Sequence, residues 1–149
     1  LKVAVVKDPD KVQVRILREL LLKGIIDGVQ FHGNESLALV HSFGGNAYKA
    51  ISLESPKEAA DDLFAPLSLY DKPKGAFNDS LGLIFDASFR EALQGGFIAG
   101  GISPQNLNDV LELYSPLLID IASGVEKRPG IKDHGKLREI FSILESFYG

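Results

Sequence analysis

Short apolar, β-branched runs alternate along this chain with stretches whose apolar residues recur every three or four positions, at a period of about 25 residues. Leu1 to Val6 reads as a buried strand. Asp8 is then expected to cap a helix with Pro9 at its first position, apolar residues at Val12, Ile16, Leu17 and Leu20, and Gly24 as its stop. GVQFHG from Gly28 predicts a second strand, followed by a helix opened by Asn34 and Glu35, running through Val40 and ended by Gly44 and Gly45. AYKAISL from Ala47 is a third strand, Ser55-Pro56 starts a helix through Phe64, and PLSLYD from Pro66 is a fourth strand. Pro73 and Gly75 break the chain into a polar loop to Leu83, and a helix follows through Leu93. GGFIAGG from Gly95 is a fifth strand, with Ser103-Pro104 expected to cap the next helix, and PLLIDIASG from Pro116 is a sixth. The last helix, from about His134 to Phe147, carries Leu137, Ile140, Phe141 and Leu144 on one face.

Strand-helix units in unbroken succession imply a parallel sheet with right-handed crossovers, hence the α/β class. An open doubly wound sheet would carry a glycine-rich phosphate turn after its first strand, and LKVAVVKDPDK has none. The paired glycines come late. A (β/α)8 TIM barrel places its phosphate site after strands seven and eight, so the six units read as strands three to eight of such a barrel, with the first two βα units missing. One β/α-barrel domain over residues 1–149 is therefore expected, incomplete at its N-terminus.

Composition narrows the chemistry. At 45% hydrophobic and 24% charged residues the chain is ordinary globular protein. Its net charge of -4, with no basic run, argues against a general nucleic-acid or membrane-surface binder. A cytoplasmic protein is expected, since no stretch has the length or polarity of a membrane span or leader. Zero cysteines remove disulfides, thiolate metal sites and a cysteine nucleophile from these residues. The scattered carboxylates have no metal-ligand spacing, and neither a metal nor a cofactor is expected.

Gly100 and Gly101 end a strand just before a Ser-Pro helix start, where bare backbone N–H groups can face an anion, and Ser123 with Gly124 repeat this one unit later. Either pair alone fits a tight turn. Both together point to a phosphate grip. Asp71 sits at the end of an apolar strand, where catalytic side chains of a barrel project and partial desolvation favours general-acid use. Asp120, flanked by apolar residues, must face the barrel mouth or find a partner. Gln30 and His32 share one strand face, opposite Val29 and Phe31, and read as a ligand wall. Lys7, Lys49 and Lys72 are expected to be solvated.

These residues resemble phosphoribosylanthranilate isomerase, the barrel enzyme family of tryptophan biosynthesis. The carriers are GVQFHGNES from Gly28, AGGISPQNL from Ala99 and IDIASGVEKRPGIKDHGKL from Ile119. The resemblance implies an Amadori rearrangement of N-(5-phosphoribosyl)anthranilate to 1-(2-carboxyphenylamino)-1-deoxyribulose 5-phosphate. It implies Asp71 as general acid, Gly100, Gly101, Ser123 and Gly124 as phosphate contacts, and Gln30, His32 and Asp120 as substrate contacts. It also implies a general-base cysteine at the end of the first barrel strand and a basic residue after the second, so these residues alone are expected to be nearly inactive. The loop after Asp71 reads FNDSLGLIFDASF, keeping Phe85-Asp86 of a family segment that resembles GGTGKTFDW but not its lysine or paired glycines. Fusion to, or dimerisation with, another barrel stays open. So do two other functions: a related isomerase of phosphorylated sugars, as in histidine biosynthesis, and a non-catalytic module that binds a phosphorylated ligand.

Overall fold

The computed structural model describes residues 1–52, 68–71 and 89–149. These fall into two compact units, one of Leu1–Ile51 with Ser68 and Leu69, the other of Ser52, Tyr70, Asp71 and residues 89–149.

In the first unit, β1 (Val3–Val6), β2 (Gly28–Phe31) and β3 (Ala47–Ser52) lie in sequential order and pair in parallel, with Val5 opposite Gln30 and Gln30 opposite Tyr48. Helix α1 (Lys11–Leu22) follows β1, and the short α2 (Leu37–His41) follows β2. Alternation along the strands sends Val29, Phe31 and Ala47 into a core with Leu17, Val40 and Phe43, and the Phe31 and Phe43 rings meet edge to face at 5.3 Å. Val14 and Leu21 flank Leu17 on that core, whereas Val12 and Ile16 are exposed. The expected α1 face is thus rotated, because only positions 14, 17 and 21 share the stripe set by Leu17.

The cap of α1 also differs. Asp10, not Asp8, accepts from Gln13 N–H at 2.8 Å, and the Gln13 side chain returns a bond to Asp10 N–H, closing a capping box. Asp8 has φ +47° and serves another loop. Likewise Ser36 rather than Asn34 or Glu35 opens α2.

In the second unit, β4 (Ser68–Asp71, through Tyr70 and Asp71), β5 (Phe97–Ile98) and β6 (Leu118–Ile119) again run in chain order, with β5 and β6 parallel. The helices are α3 (Arg90–Leu93), α4 (Leu107–Tyr114) and α5 (His134–Tyr148). Leu107, Val110, Leu111 and Tyr114 bury one side of α4 completely. On α5, Ile140 is buried and Phe141 is exposed, so Phe141 does not belong to the inward face. A two-stranded antiparallel hairpin, β7 (Glu126–Arg128) and β8 (Ile131–Lys132), separates β6 from α5. No expected strand or helix corresponds to it. The helix expected from Ser55 to Phe64 and the loop following Asp71, including Phe85-Asp86, lie outside the described residues. Among the described residues no helix is long and apolar enough to cross a membrane.

Candidate functional site

The second unit gathers Asp71, Asp120 and both glycine-bearing loops at the C-terminal ends of three neighbouring strands, β4, β5 and β6, the end where barrel enzymes carry their chemistry. Asp71 is the last residue of β4 and half-buried, and the Ala99 N–H after β5 donates to Tyr70 O at 2.8 Å. Asp120 follows β6 directly and its N–H donates to Ile98 O at 2.9 Å.

Gly100 and Gly101 both have positive φ, +89° and +71°. A Cβ on Gly101 would meet nothing within 4 Å, so conformation rather than crowding calls for glycine there. Gly124 is the opposite case. A Cβ on it would collide with Ile102 O and lie 2.7 Å from Ile102 C and 3.1 Å from Ser103 Cα. The two loops therefore touch backbone to backbone, and the bare Cα of Gly124 permits that contact.

Asn106, absent from the expected site, organises the first loop. Its Oδ1 accepts from Ser103 N–H at 2.8 Å and its Nδ2 donates to Gly101 O at 3.0 Å. Ser103 O in turn accepts from Asn106 and Leu107 N–H, so α4 starts at Leu107 rather than at the expected Ser103-Pro104. The signal was present in the S-x-x-N spacing of ISPQN, which permits such a local bridge. The hairpin braces the second loop. Lys132 Nζ donates to Ala122 O at 2.7 Å and Lys136 Nζ to Glu126 O at 3.0 Å. Ser123 is exposed at the start of a single 3₁₀ turn through Val125.

In the first unit, Gln30 is buried and His32 exposed just beyond β2. The Gln30 amide nitrogen lies 3.4 Å from His32 Nδ1, and Tyr48 Oη donates to Gln30 Oε1 at 3.2 Å. The two residues thus meet as their shared strand face requires.

The expectation of a solvated Lys49 is overturned. Its ammonium is buried and lies 3.2 Å from the equally buried Glu35 carboxylate. Lys7 is exposed, as expected. Lys72 is outside the described residues. Charged side chains this deeply buried must be paired, and neither could be recognised from its immediate sequence neighbours. Among the described residues no group of three or more His, Cys, Asp or Glu could hold a metal ion.

The family model described as N-(5'phosphoribosyl)anthranilate (PRA) isomerase matches residues 1–143. An N-(5'-phosphoribosyl)anthranilate isomerase of Magnetococcus marinus is 33% identical over 80% of this chain and 59% of its own length. One of Legionella pneumophila (strain Corby) is 32% identical over 95% of this chain and 70% of its own length. The chain thus spans about three fifths to seven tenths of these curated relatives. The crystal structure of phosphoribosyl anthranilate isomerase from Thermus thermophilus superposes with a TM-score of 0.73 at 28% identity, covering 99% of this chain and 73% of that one.

Proposed function

The chain belongs to the N-(5'-phosphoribosyl)anthranilate isomerase family, a TIM-barrel family of tryptophan biosynthesis, and from that premise we propose that it carries the phosphate grip and general acid of an enzyme performing the family's Amadori rearrangement. The substrate phosphate sits against the backbone N–H groups of the Gly100-Gly101 and Ser123-Gly124 loops. Asp71 gives its proton to the furanose ring oxygen while the anilinic nitrogen lone pair expels that oxygen from C1, producing a Schiff base. A base then takes the C2 proton. The C2–H electrons become the C1=C2 bond and the C=N pair returns to nitrogen, giving an enolamine that tautomerises to the ketose. No atom is gained or lost.

Asp120, His32 and Gln30 orient the rest of the substrate. The base is not a cysteine of these residues, which contain none. The reading therefore assigns proton abstraction to a group beyond them. The first two βα units of the barrel are the part this reading leaves to the remainder of the enzyme.

The observation that carries the reading is the contact of Gly124 with Ile102 and Ser103, which joins two bare-backbone loops on the strands beside Asp71. Two like loops braced together have more reason to exist at an anion than as separate turns. The test is turnover of phosphoribosylanthranilate, followed by loss of its fluorescence, with protein made from the full reading frame. Asp71→Asn should cost on the order of a hundred- to ten-thousand-fold in kcat while product still binds. Product binding with no turnover by the wild type would leave a binding module instead.

A further inference from the structure

The first unit contains a second set of buried groups with no part in the reaction just described. Glu35 and Lys49 side chains are 1% and 7% exposed, and both are used completely. Lys49 Nζ donates to Gly33 O at 2.6 Å and to Ala50 O at 3.1 Å, besides its ion pair with Glu35. Glu35 accepts from Gly33 N–H at 2.9 Å and from Asp8 N–H at 2.8 Å. Asp8 Oδ1 in turn accepts from Asn34 N–H at 2.6 Å. Both polar groups of the Gly33 backbone are thus held, and a Cβ there would lie 2.8 Å from Asp8 N, so only glycine fits.

All of these bonds except that from Lys49 to Ala50 O involve the residues that follow His32, whose own N–H donates to Val6 O at 2.8 Å. A buried ion pair is weak evidence for stability, because desolvation offsets most of its attraction. What such a pair supplies is geometry. A second network acts on the ring. Tyr48 donates to Gln30 Oε1, which leaves the Gln30 amide N–H₂ facing His32 Nδ1. With the Gln30 amide in this orientation, a hydrogen bond to Nδ1 requires Nδ1 to accept, which places the ring proton on Nε2.

We propose that Lys49 and Glu35 are positioning residues for His32, whose Nε2–H donates to an oxygen of the bound substrate. The substrate part rests on the function proposed above; the tautomer and the fixed backbone do not. The ligand oxygen is one that accepts, a carboxylate or hydroxyl, and not a donor.

The experiment combines imidazole nitrogen NMR with kinetics on protein from the full reading frame, assigning His32 as the resonance that His32→Asn removes. Wild-type His32 should show the Nε2–H tautomer and one sharp ring resonance. Lys49→Met and the near-isosteric Glu35→Gln should broaden or shift that resonance. They should also raise KM and product Kd on the order of ten- to a hundredfold, with kcat much less affected. Lys49→Arg should recover much of the loss. An Nδ1–H tautomer in the wild type overturns the proposal. So do folded Lys49→Met and Glu35→Gln variants with an unchanged His32 resonance. If Lys49→Met does not fold, Glu35→Gln and Lys49→Arg give the same decision. A wild type lacking both turnover and product binding would defeat the isomerase reading alone, since the resonances still report on His32.

Discussion

Burial pushes the Glu35 carboxyl up, yet its own backbone N–H, those of Asp8 and Gly33, and the Lys49 ammonium together bring it below its ordinary value of 4.5. A carboxyl lowered on folding contributes stability that is present above the unfolded value and lost as pH falls through the folded one. Glu35 should therefore support the first unit at neutral pH and cease to do so in acid, below 4.5. Glu35→Gln should flatten the acid limb of a stability-versus-pH profile, measured by urea unfolding at several pH values. At Gly124 the prediction is steric. Gly124→Ala drives a methyl into the Ile102 carbonyl and should cost about 1–3 kcal/mol and weaken inorganic phosphate binding together. Asn106→Ala should cost a similar amount, about 1–3 kcal/mol, because the Ser103 N–H and Gly101 carbonyl lose their shared partner. Calorimetric unfolding and phosphate titration check both. A destabilised Gly124→Ala with unchanged phosphate affinity would detach the loop contact from the anion.

Among the helices, α1 and α5 separate what periodicity reveals from what packing selects. Asp10 caps α1 with a side-chain bond to Gln13 N–H, and Asp10→Ala should cost about 1 kcal/mol in unfolding free energy. Asp8→Ala should act differently, releasing Asn34 and the loop after His32 and leaving α1 helicity intact by circular dichroism. Two aspartates flank Pro9, and either could cap by composition. The choice falls to Asp10 because the Asp8 carboxylate is committed to the neighbouring strand's loop. On α5, Ile140→Ala should cost about 2–4 kcal/mol by opening a cavity, whereas the exposed Phe141→Ser should stay within about 0.5 kcal/mol. Both residues fit the amphipathic stripe. Only the neighbours packed on α5 decide which of them the core receives.

For the molecule as a whole, β1 terminates the strand order among the described strands, and Val5 on it is 63% exposed. An apolar strand paired on one side only invites further pairing, so residues 1–149 made alone should associate as concentration rises, seen by sedimentation velocity. On the proposed function they should also fail to restore growth of a tryptophan auxotroph lacking phosphoribosylanthranilate isomerase, because no cysteine is present among them to serve as the base that the resemblance implies. Growth would overturn that assignment of the base. The order of the six parallel-sheet strands, the parallel pairing of β1, β2 and β3 and of β5 with β6, and the two glycine loops followed from the sequence alone, whereas the β7–β8 hairpin did not. Those features depend on residue type and spacing along one stretch of chain, which the sequence carries directly. The burial of Lys49 with Glu35, the bridge from Asp8 to Asn34 and the contact of Gly124 with Ile102 were decided only by the tertiary structure. Each joins residues on different βα units, and whether a charge is paired or a Cβ has room depends on the distances that parallel strand pairing sets between them.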